Sequence, residues 1–549
     1  MRKLVGNTSG MALGTLISRL SGVVRDIVLV AAIGTGIFSD TYSVANSIPN
    51  IVYILIAGGA INAVFIPSLI RHMQDDDDSG KRFTDQLLSV ISAILIVIVV
   101  VTMLGASLLV RLYSTSQWSI QDLHVATVFA WWCLPQIFFY GMYTVITQIL
   151  NSRDVFVMPM FAPIMNNVIV IATALVFLSI STGQPTTTSV TSSQLTLLGA
   201  GTTLGVALQA CVLLPSLKKS GYWFTPKLSV RGSGLGKVGD LAAWTLGFVA
   251  VNQMSFLIIA RLTTYANVVA SREGLVEVGF TSYQKGQLMM MLPHSIITVS
   301  LITALLPRLS KQSHSGDLTA FGHDLTEGVR LVIAFIVPSA VLLFIAGPQL
   351  GRLLYGYGAS SQVQGSSVGF IASMFALGLP AFSIFYVLLR SYYAQENTKT
   401  PFFLNVGFNV LHLSIGLLLF SFVSPSHKVA SLALAYSVAY TVTAIVTWSR
   451  VRRRYDETQA TNLTRYLIRV GFCSIVAGLF GFIGHVLISQ ISHRGAVFTF
   501  LQRNGFVFGL IELTIEALLF ACIYLLLARK LHIRELNSIQ EFLNRRIRR

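Results

Sequence analysis

An all-α polytopic membrane protein is the fold class this sequence predicts: fourteen transmembrane helices, with two six-helix lobes in parallel repeat and two extra C-terminal helices. Three observations carry that expectation: few charged residues, apolar stretches of bilayer length at short intervals, and Lys and Arg confined to alternate loops. Of 549 residues, 54% are hydrophobic and 11% are charged, against about 25% charged in a soluble domain. With a mean hydropathy of +0.70, the chain has too few polar side chains to face water over most of its length. Lipid must be its solvent for the greater part.

A span needs about 20 predominantly apolar residues. Fourteen such stretches follow one another along the sequence. The first six are 4–34, 39–70, 87–113, 123–150, 160–179 and 195–217. The remaining eight are 242–265, 280–306, 329–346, 368–393, 402–423, 429–448, 467–488 and 506–527. The first two are the most polar of the set.

Loop charge then orients them. One set of alternate loops carries Arg71, Lys81 and Arg82, then Arg153, then Lys218, Lys219, Lys227, Arg231 and Lys237. The same side continues with Arg308, Lys311, Arg390, Lys399, the Arg450, Arg452, Arg453, Arg454 group and the tail. The stretch 181–194 on the other side has no Lys or Arg. Excess Lys and Arg marks the cytoplasmic side, so both termini are expected in the cytoplasm. The formal net charge of +17 therefore serves topology, and nucleic acid is not an expected partner.

An internal repeat organises the spans. Leu112-Tyr113, Pro135, Tyr140, Asn151-Ser152-Arg153-Asp154, Pro159 and Asn166-Asn167 are echoed by a second series. It consists of Leu354-Tyr355, Pro380, Tyr386, Gln395-Glu396-Asn397-Thr398, Pro401, Asn405 and Asn409. Likewise Phe65-Ile66-Pro67-Ser68-Leu69 resembles Leu305-Leu306-Pro307-Arg308-Leu309. The offset is about 240 residues, the mark of a duplicated unit. An even number of helices separates the copies, so both have the same orientation, as in two-lobed alternating-access transporters. Residues 1–220 form the first expected lobe, 221–455 the second, and 456–530 the two helices outside the repeat. The competing reading is a duplication retained in a non-transporting protein.

The four cysteines, Cys133, Cys211, Cys473 and Cys522, all fall inside apolar spans without metal-ligand spacing. They read as buried thiols rather than a disulfide or zinc set. The opening MRKLVGNTSG leads into a long mixed helix without a small-residue cleavage site, so no cleavable signal peptide is expected. No Walker A motif, HExxH or nucleophile elbow is present, and no cofactor, metal or enzymatic chemistry is implied.

The polar residues inside the spans carry the functional reading. The first helix contains Ser18-Arg19, Gly22 and Arg25-Asp26. Arginine near a helix centre costs about 2.5–3.5 kcal/mol on insertion scales and is seldom left facing lipid. Arg19 and Arg25, six residues apart, stand about 240° apart around the helix and about 9 Å along it, so both can line a broad cavity. Guanidinium groups fork onto phosphate oxygens and stay charged at any relevant pH, which suits an anionic lipid headgroup. The competing reading is a local tie of Arg25 to Asp26 or Asp40. In the second lobe, Arg261 and Lys285 are the corresponding cations, or they snorkel to the surface beside Glu273 and Glu277. Gly22, Gly34, Gly36, Gly58 and Gly59, with Pro49 and Pro67, are candidate hinges; ordinary helix packing is the alternative.

The acidic run 75–78 reads as a solvated cytoplasmic loop. Residues 531–549 form a basic tail with Leu536, Ile539, Phe542 and Leu543 at helical spacing. It is expected to lie on the anionic cytoplasmic leaflet, at about 1 kcal/mol per basic residue, or to bind cell-wall synthesis or regulatory proteins.

Several of these motifs together resemble a known family. Ser18-Arg19-Leu20-Ser21-Gly22-Val23-Val24-Arg25-Asp26, Ser39-Asp40, Ile48-Pro49-Asn50 and Phe65-Ile66-Pro67 resemble the opening of the MurJ (MviN) lipid II flippases. Leu305-Leu306-Pro307-Arg308-Leu309-Ser310 and Tyr393-Ala394-Gln395-Glu396-Asn397-Thr398-Lys399-Thr400-Pro401 are similar to that family too. The resemblance places the chain in the multidrug/oligosaccharidyl-lipid/polysaccharide exporter superfamily and extends over its whole length in helix order. It implies that lipid II, an undecaprenyl-diphosphate-linked muropeptide, is the cargo, and that the last two helices form a groove for its tail. It implies further that Arg19 and Arg25 hold the diphosphate and that Asp40 matches a family acid. The sequence departs from the family pattern at Tyr53 and Leu288, where arginines are expected, and at Met291 and Gly58, where acids are. Val44-Ala45-Asn46 and Leu134-Pro135-Gln136 are similar to an actinobacterial-type branch. The rival expectations are another lipid-oligosaccharide flippase or a drug/cation antiporter of the superfamily, and a non-transporting cell-wall scaffold.

Overall fold

The computed structural model describes residues 2–56, 81–181, 183–226, 239–455, 457–492, 505–533 and 535. The candidate hinges Gly58, Gly59 and Pro67, the acidic run 75–78, the basic positions 227–237 and residues 536–549 of the tail lie outside them. The described residues are mostly helical and contain no strand.

The helices of the first half are α1 (Arg2–Ile33), α2 (Ile37–Ile56), α3 (Lys81–Leu104), α4 (Ala106–Tyr113), α5 (Ile120–Cys133), α6 (Gln136–Ser152), α7 (Val157–Ile180), α8 (Ser192–Cys211) and α9 (Leu214–Lys219). Then come α10 (Gly239–Arg272), α11 (Phe280–Pro293), a π-helical turn (His294–Thr298), α12 (Val299–Ser315) and α13 (Leu318–Tyr355). The last are α14 (Gln362–Ala376), α15 (Leu379–Tyr393), α16 (Lys399–Phe422), α17 (Lys428–Tyr455), α18 (Glu457–Ser492) and α19 (Gly505–Lys530). Among the described residues, 11 helical segments are long and apolar enough to cross a membrane, or 12 when α14 and α15, bent by 50°, count as one span. α1 and α2 do not pass that test: both are continuous helices rich in polar side chains, and the second predicted span runs on beyond Ile56, outside the described residues.

Sequence punctuation explains the ends and breaks. Ser119 and Asp122 form a reciprocal capping box at the start of α5, as Thr191 and Gln194 do for α8 and Ser361 and Gln364 for α14; each satisfies two backbone donors that a helix start leaves open. Leu134-Pro135 separates α5 from α6, and Gly378 with Pro380 separates α14 from α15. Asp154 after α6 (φ 61) and Glu396 after α15 (φ 56) both adopt the left-handed conformation at corresponding repeat positions. Pro293 lacks the amide hydrogen a regular helix needs, and the turn after it is π-helical.

The chain divides into two compact units, Met1–Thr281 with Tyr357–Ser360, and Ser282–Gly356 with Ser361–Arg549. In the first, α1 packs on α7, α7 on α8, and α2 on α5 and α10. Its core is aromatic: the Tyr42 and Phe129 rings meet edge-on at 5.4 Å, and the buried Tyr42 hydroxyl lies 2.7 Å from Thr202 Oγ1. Residues 357–360 dock on the end of α1, where the Ala359 amide donates to the Ala31 carbonyl at 2.7 Å. Gly358 (φ +66) passes so close that a Cβ would stand 2.2 Å from the Ala31 oxygen. In the second unit α13 packs on α14 through glycines: a Cβ on Gly369 would lie 2.0 Å from the Gly347 oxygen. Such small-residue contacts let membrane helices approach to backbone distance. α13, α18 and α19 also pack on one another.

All four cysteines are free thiols, but only Cys133 and Cys473 are buried; Cys211 and Cys522 are exposed. The expectation that all four are interior is therefore corrected: an apolar span does not say which of its faces points outward.

Candidate substrate-binding site

The first-helix arginines sit in two different environments. Arg25 is held from both sides: Nη1 donates to Asn167 Oδ1 of α7 at 3.2 Å, and Nη2 lies 3.3 Å from Asp26 Oδ1. Asp26 is buried, and 30% of the Arg25 side chain remains exposed. Asn167 completes the arrangement by donating to the Ser18 carbonyl at 3.2 Å and to Ser21 Oγ at 2.8 Å. Gly22 faces that amide, and a Cβ there would make ordinary van der Waals contact at 3.7 Å from Asn167 Nδ2. The α1–α7 contact is thus a polar seam in which Asn167 fixes both the helix register and the Arg25 fork. Arg19, one and a half turns earlier, is half-buried and has no hydrogen-bond or ion-pair partner among the described residues. An unengaged guanidinium here offers its donors to a phosphate.

Asp40 lies elsewhere, at the start of α2, where it is fully buried. It accepts from Asn267 Nδ2 at 2.7 Å, from the Phe280 amide at 3.1 Å and from the Thr281 amide at 2.8 Å. The carboxylate caps the start of α11 and ties it to α2 and α10. Ser39 and Ser43 add hydrogen bonds to Thr281 Oγ1, both at 2.8 Å. Pro49 lies within α2.

Arg261 caps α4: its Nη1 donates to the Arg111 and Leu112 carbonyls at 2.9 and 3.2 Å. Lys285 is half-buried on α11 in the second unit. At the position where the family resemblance expects an arginine, Tyr53 hydrogen-bonds Thr144 and packs on the Tyr140 ring at 5.8 Å. The structure therefore brings Gly22, Arg25 and Asp26 to the α1–α7 seam with Asn167, shows no contact of Arg19 with that seam among the described residues, and places Asp40 and Arg261 elsewhere. Sequence reasoning missed Asn167 and Asn267. The signal was present for Asn167, an amide inside the span 160–179, where a polar group must find a partner; Asn267 lies two residues past the expected end of its span, in a helix that the structure extends to Arg272.

This architecture matches solved transporters. A lipid II flippase MurJ in an inward closed conformation superposes with a TM-score of 0.71 at 21% identity, over 95% of this chain and 99% of that one. An inward-facing multidrug resistance transporter of the MATE family, of the MOP superfamily, superposes with a TM-score of 0.60 at 14% identity, over 84% and 99%. The chain is thus a multi-span helical membrane protein with the fold of these transporters. In sequence, a lipid II flippase MurJ of Burkholderia cenocepacia is 28% identical over 477 residues, covering 85% of this chain and 87% of that protein. A probable lipid II flippase MurJ of Rhizobium tropici is 26% identical over 523 residues, covering 93% and 92%. The profile of the family described as lipid II flippase MurJ matches residues 29–504. The chain belongs to the lipid II flippase MurJ family, a family of bacterial cytoplasmic-membrane transporters.

Proposed function

We propose that this flippase carries lipid II from the inner to the outer leaflet by alternating access. The observation that carries the reading is the α1 seam: a cation at Arg25 oriented by Asn167 and Asp26, beside Arg19, which has no partner among the described residues. The pair supplies donors for a diphosphate without a residue to cleave it. Residues 1–220 and 221–455 act as two six-helix lobes, fourteen spans place both termini in the cytoplasm, and the α18–α19 pair within 456–530 holds the polyprenyl tail. Arg261 and Lys285 add positive charge that favours an anionic cargo. Asp40 is a gating residue, because its three bonds tie α2 to α10 and α11, and Gly22 and Pro49 allow the helices that carry these residues to bend. The basic tail, 531–549, lies on the anionic leaflet.

The test is the accessibility of lipid II at the outer face of cells depleted of this protein. Wild-type protein restores it, whereas Arg19→Ala and Arg25→Ala insert normally and do not. Full restoration by both variants would remove the arginines from the site.

A further inference from the structure

The second unit holds a titratable cluster that the arginine seam does not use. His485 Nδ1 of α18 lies 2.8 Å from Glu512 Oε1 of α19. Its other ring nitrogen meets Gln349 of α13 at 3.2 Å. With the amide oriented so that its nitrogen donates to the Ile345 and Ala346 carbonyls, both at 3.3 Å, the Gln349 oxygen accepts from His485 Nε2. Nε2 therefore carries a hydrogen. Nδ1 and the carboxyl oxygen approach closely, but Nδ1 makes no hydrogen bond among the described residues.

One turn further along α19, Glu516 is 1% exposed, and neither of its carboxyl oxygens has a hydrogen-bond partner among the described residues. It faces Gly481 of α18, where a Cβ would stand 3.6 Å from Glu516 Cγ. Glu512, on its own helix, is the charged group that acts on it. His485 is the titratable group that α18 brings to the cluster, and α13 brings Gln349, which does not titrate. Counting from Gly505, Glu516 stands about 16 Å along its helix, near the middle of the span Gly505–Lys530. An ionised carboxylate at such a depth needs a compensating positive charge, and the one basic side chain beside it, His485, already faces Glu512. The three side chains do not bring their donor atoms close enough for one metal ion; among the described residues that geometry occurs at His323, Asp324 and Glu327.

We propose that Glu516, beside the His485–Glu512 pair, is a proton-binding site within the α18–α19 hairpin. A proton from water forms an O–H bond on the Glu516 carboxyl, and no electrons change hands. Its loss leaves a second negative charge one turn from Glu512 and loosens the packing of α18 and α19 on α13. Proton occupancy thereby sets how tightly the hairpin closes.

Infrared difference spectroscopy of the full-length protein in lipid nanodiscs, taken between acid and alkaline buffers, tests this. The expected result is a carbonyl band of a buried protonated carboxyl that shifts in heavy water, disappears in Glu516→Gln and persists in the surface control Glu396→Gln. Glu516→Asp moves the band without abolishing it, which keeps the test readable if the amide variant fails to fold. Absence of the band in the wild type, its persistence in Glu516→Gln, or its displacement at fixed pH by sodium, potassium or magnesium would overturn the proposal.

Discussion

Arg25 is held by two groups that the sequence places very differently. Asp26 is its neighbour, so that pairing was legible from the Arg-Asp dipeptide. Asn167 is 142 residues away, and a lone amide in an apolar helix does not name its partner. Hydrogen bonds to charged groups are worth about 1.5–3 kcal/mol. Asn167→Ala, which leaves the Arg25 charge in place, is therefore expected to weaken lipid II binding roughly tenfold or more, read by titrating the lipid into nanodisc-embedded protein. Unchanged affinity would dismiss Asn167 as a positioning residue. Asp40 supports a second prediction. Asp40→Ala leaves the Asn267 amide and two backbone N–H groups buried without an acceptor, each worth about 1–3 kcal/mol. The expected loss of stability is on the order of 3 kcal/mol or more, measured by denaturation in detergent, with Asp40→Asn intermediate. Gly279→Ala should approach the same loss, since its Cβ would stand 2.0 Å from Asp40 Oδ2.

At the scale of elements, the marks of breaks and caps are local, yet 123–150 and 368–393 were each expected as one unbroken span and are each two helices. Pro135 marks the α5–α6 break, and Ser-x-x-Asp or Ser-x-x-Gln spacing marks the helix starts. Ties between elements were not readable. Asp85, at the start of α3, accepts from the Tyr222 hydroxyl at 2.6 Å and from the Thr225 amide at 3.2 Å. Arg153 lies over the Tyr222 ring at 5.5 Å and donates to the Ser220 carbonyl at 3.1 Å. Burial first, and then Asp85, pushes the Tyr222 phenol well above its ordinary range, so it remains a donor at any physiological pH. This clasp fastens the stretch 220–226 against α3 and α6. Asp85→Ala leaves the Tyr222 and Thr225 donors without their acceptor, and limited trypsin digestion at Lys227 should become several-fold faster while membrane insertion is unchanged. Equal digestion rates would show that the clasp does not hold the segment. Glu512 and Glu516 escaped notice for the opposite reason: two acids four residues apart were visible in an otherwise apolar span, but their meaning depends on His485 from another helix.

At the scale of the molecule, composition was enough for the membrane class, yet the hydropathy signal is weakest in the first two helices. α1 and α2 fall short of an apolar span because of Ser18, Arg19, Ser21, Arg25 and Asp26 in the one, and Ser39, Asp40, Thr41, Ser43 and Ser47 in the other. Several of those side chains build the α1–α7 seam and the Asp40 tie, so the residues that weaken the hydropathy signal are ones that hold helices to one another. The same charges define the energetics of the proposed cycle. One elementary charge crossing the whole field is worth about 2.3 kcal/mol per 100 mV. With the cell interior negative, an anionic headgroup moves outward downhill. An empty carrier with Arg19 and Arg25 moves back inward downhill as well, because it is positive. Replacing one arginine with a shorter, neutral amide, as in Arg19→Gln, removes one charge from the return step and leaves the headgroup's own charge untouched. Lipid II transport in proteoliposomes, with the potential set by a potassium gradient and valinomycin, should then rise less steeply with voltage in Arg19→Gln than in the wild type. The difference should be largest where return of the empty carrier limits turnover, at saturating lipid II. An identical voltage slope for the two proteins would mean that the arginine does not move through the field, and the potential would have to act on the cargo alone.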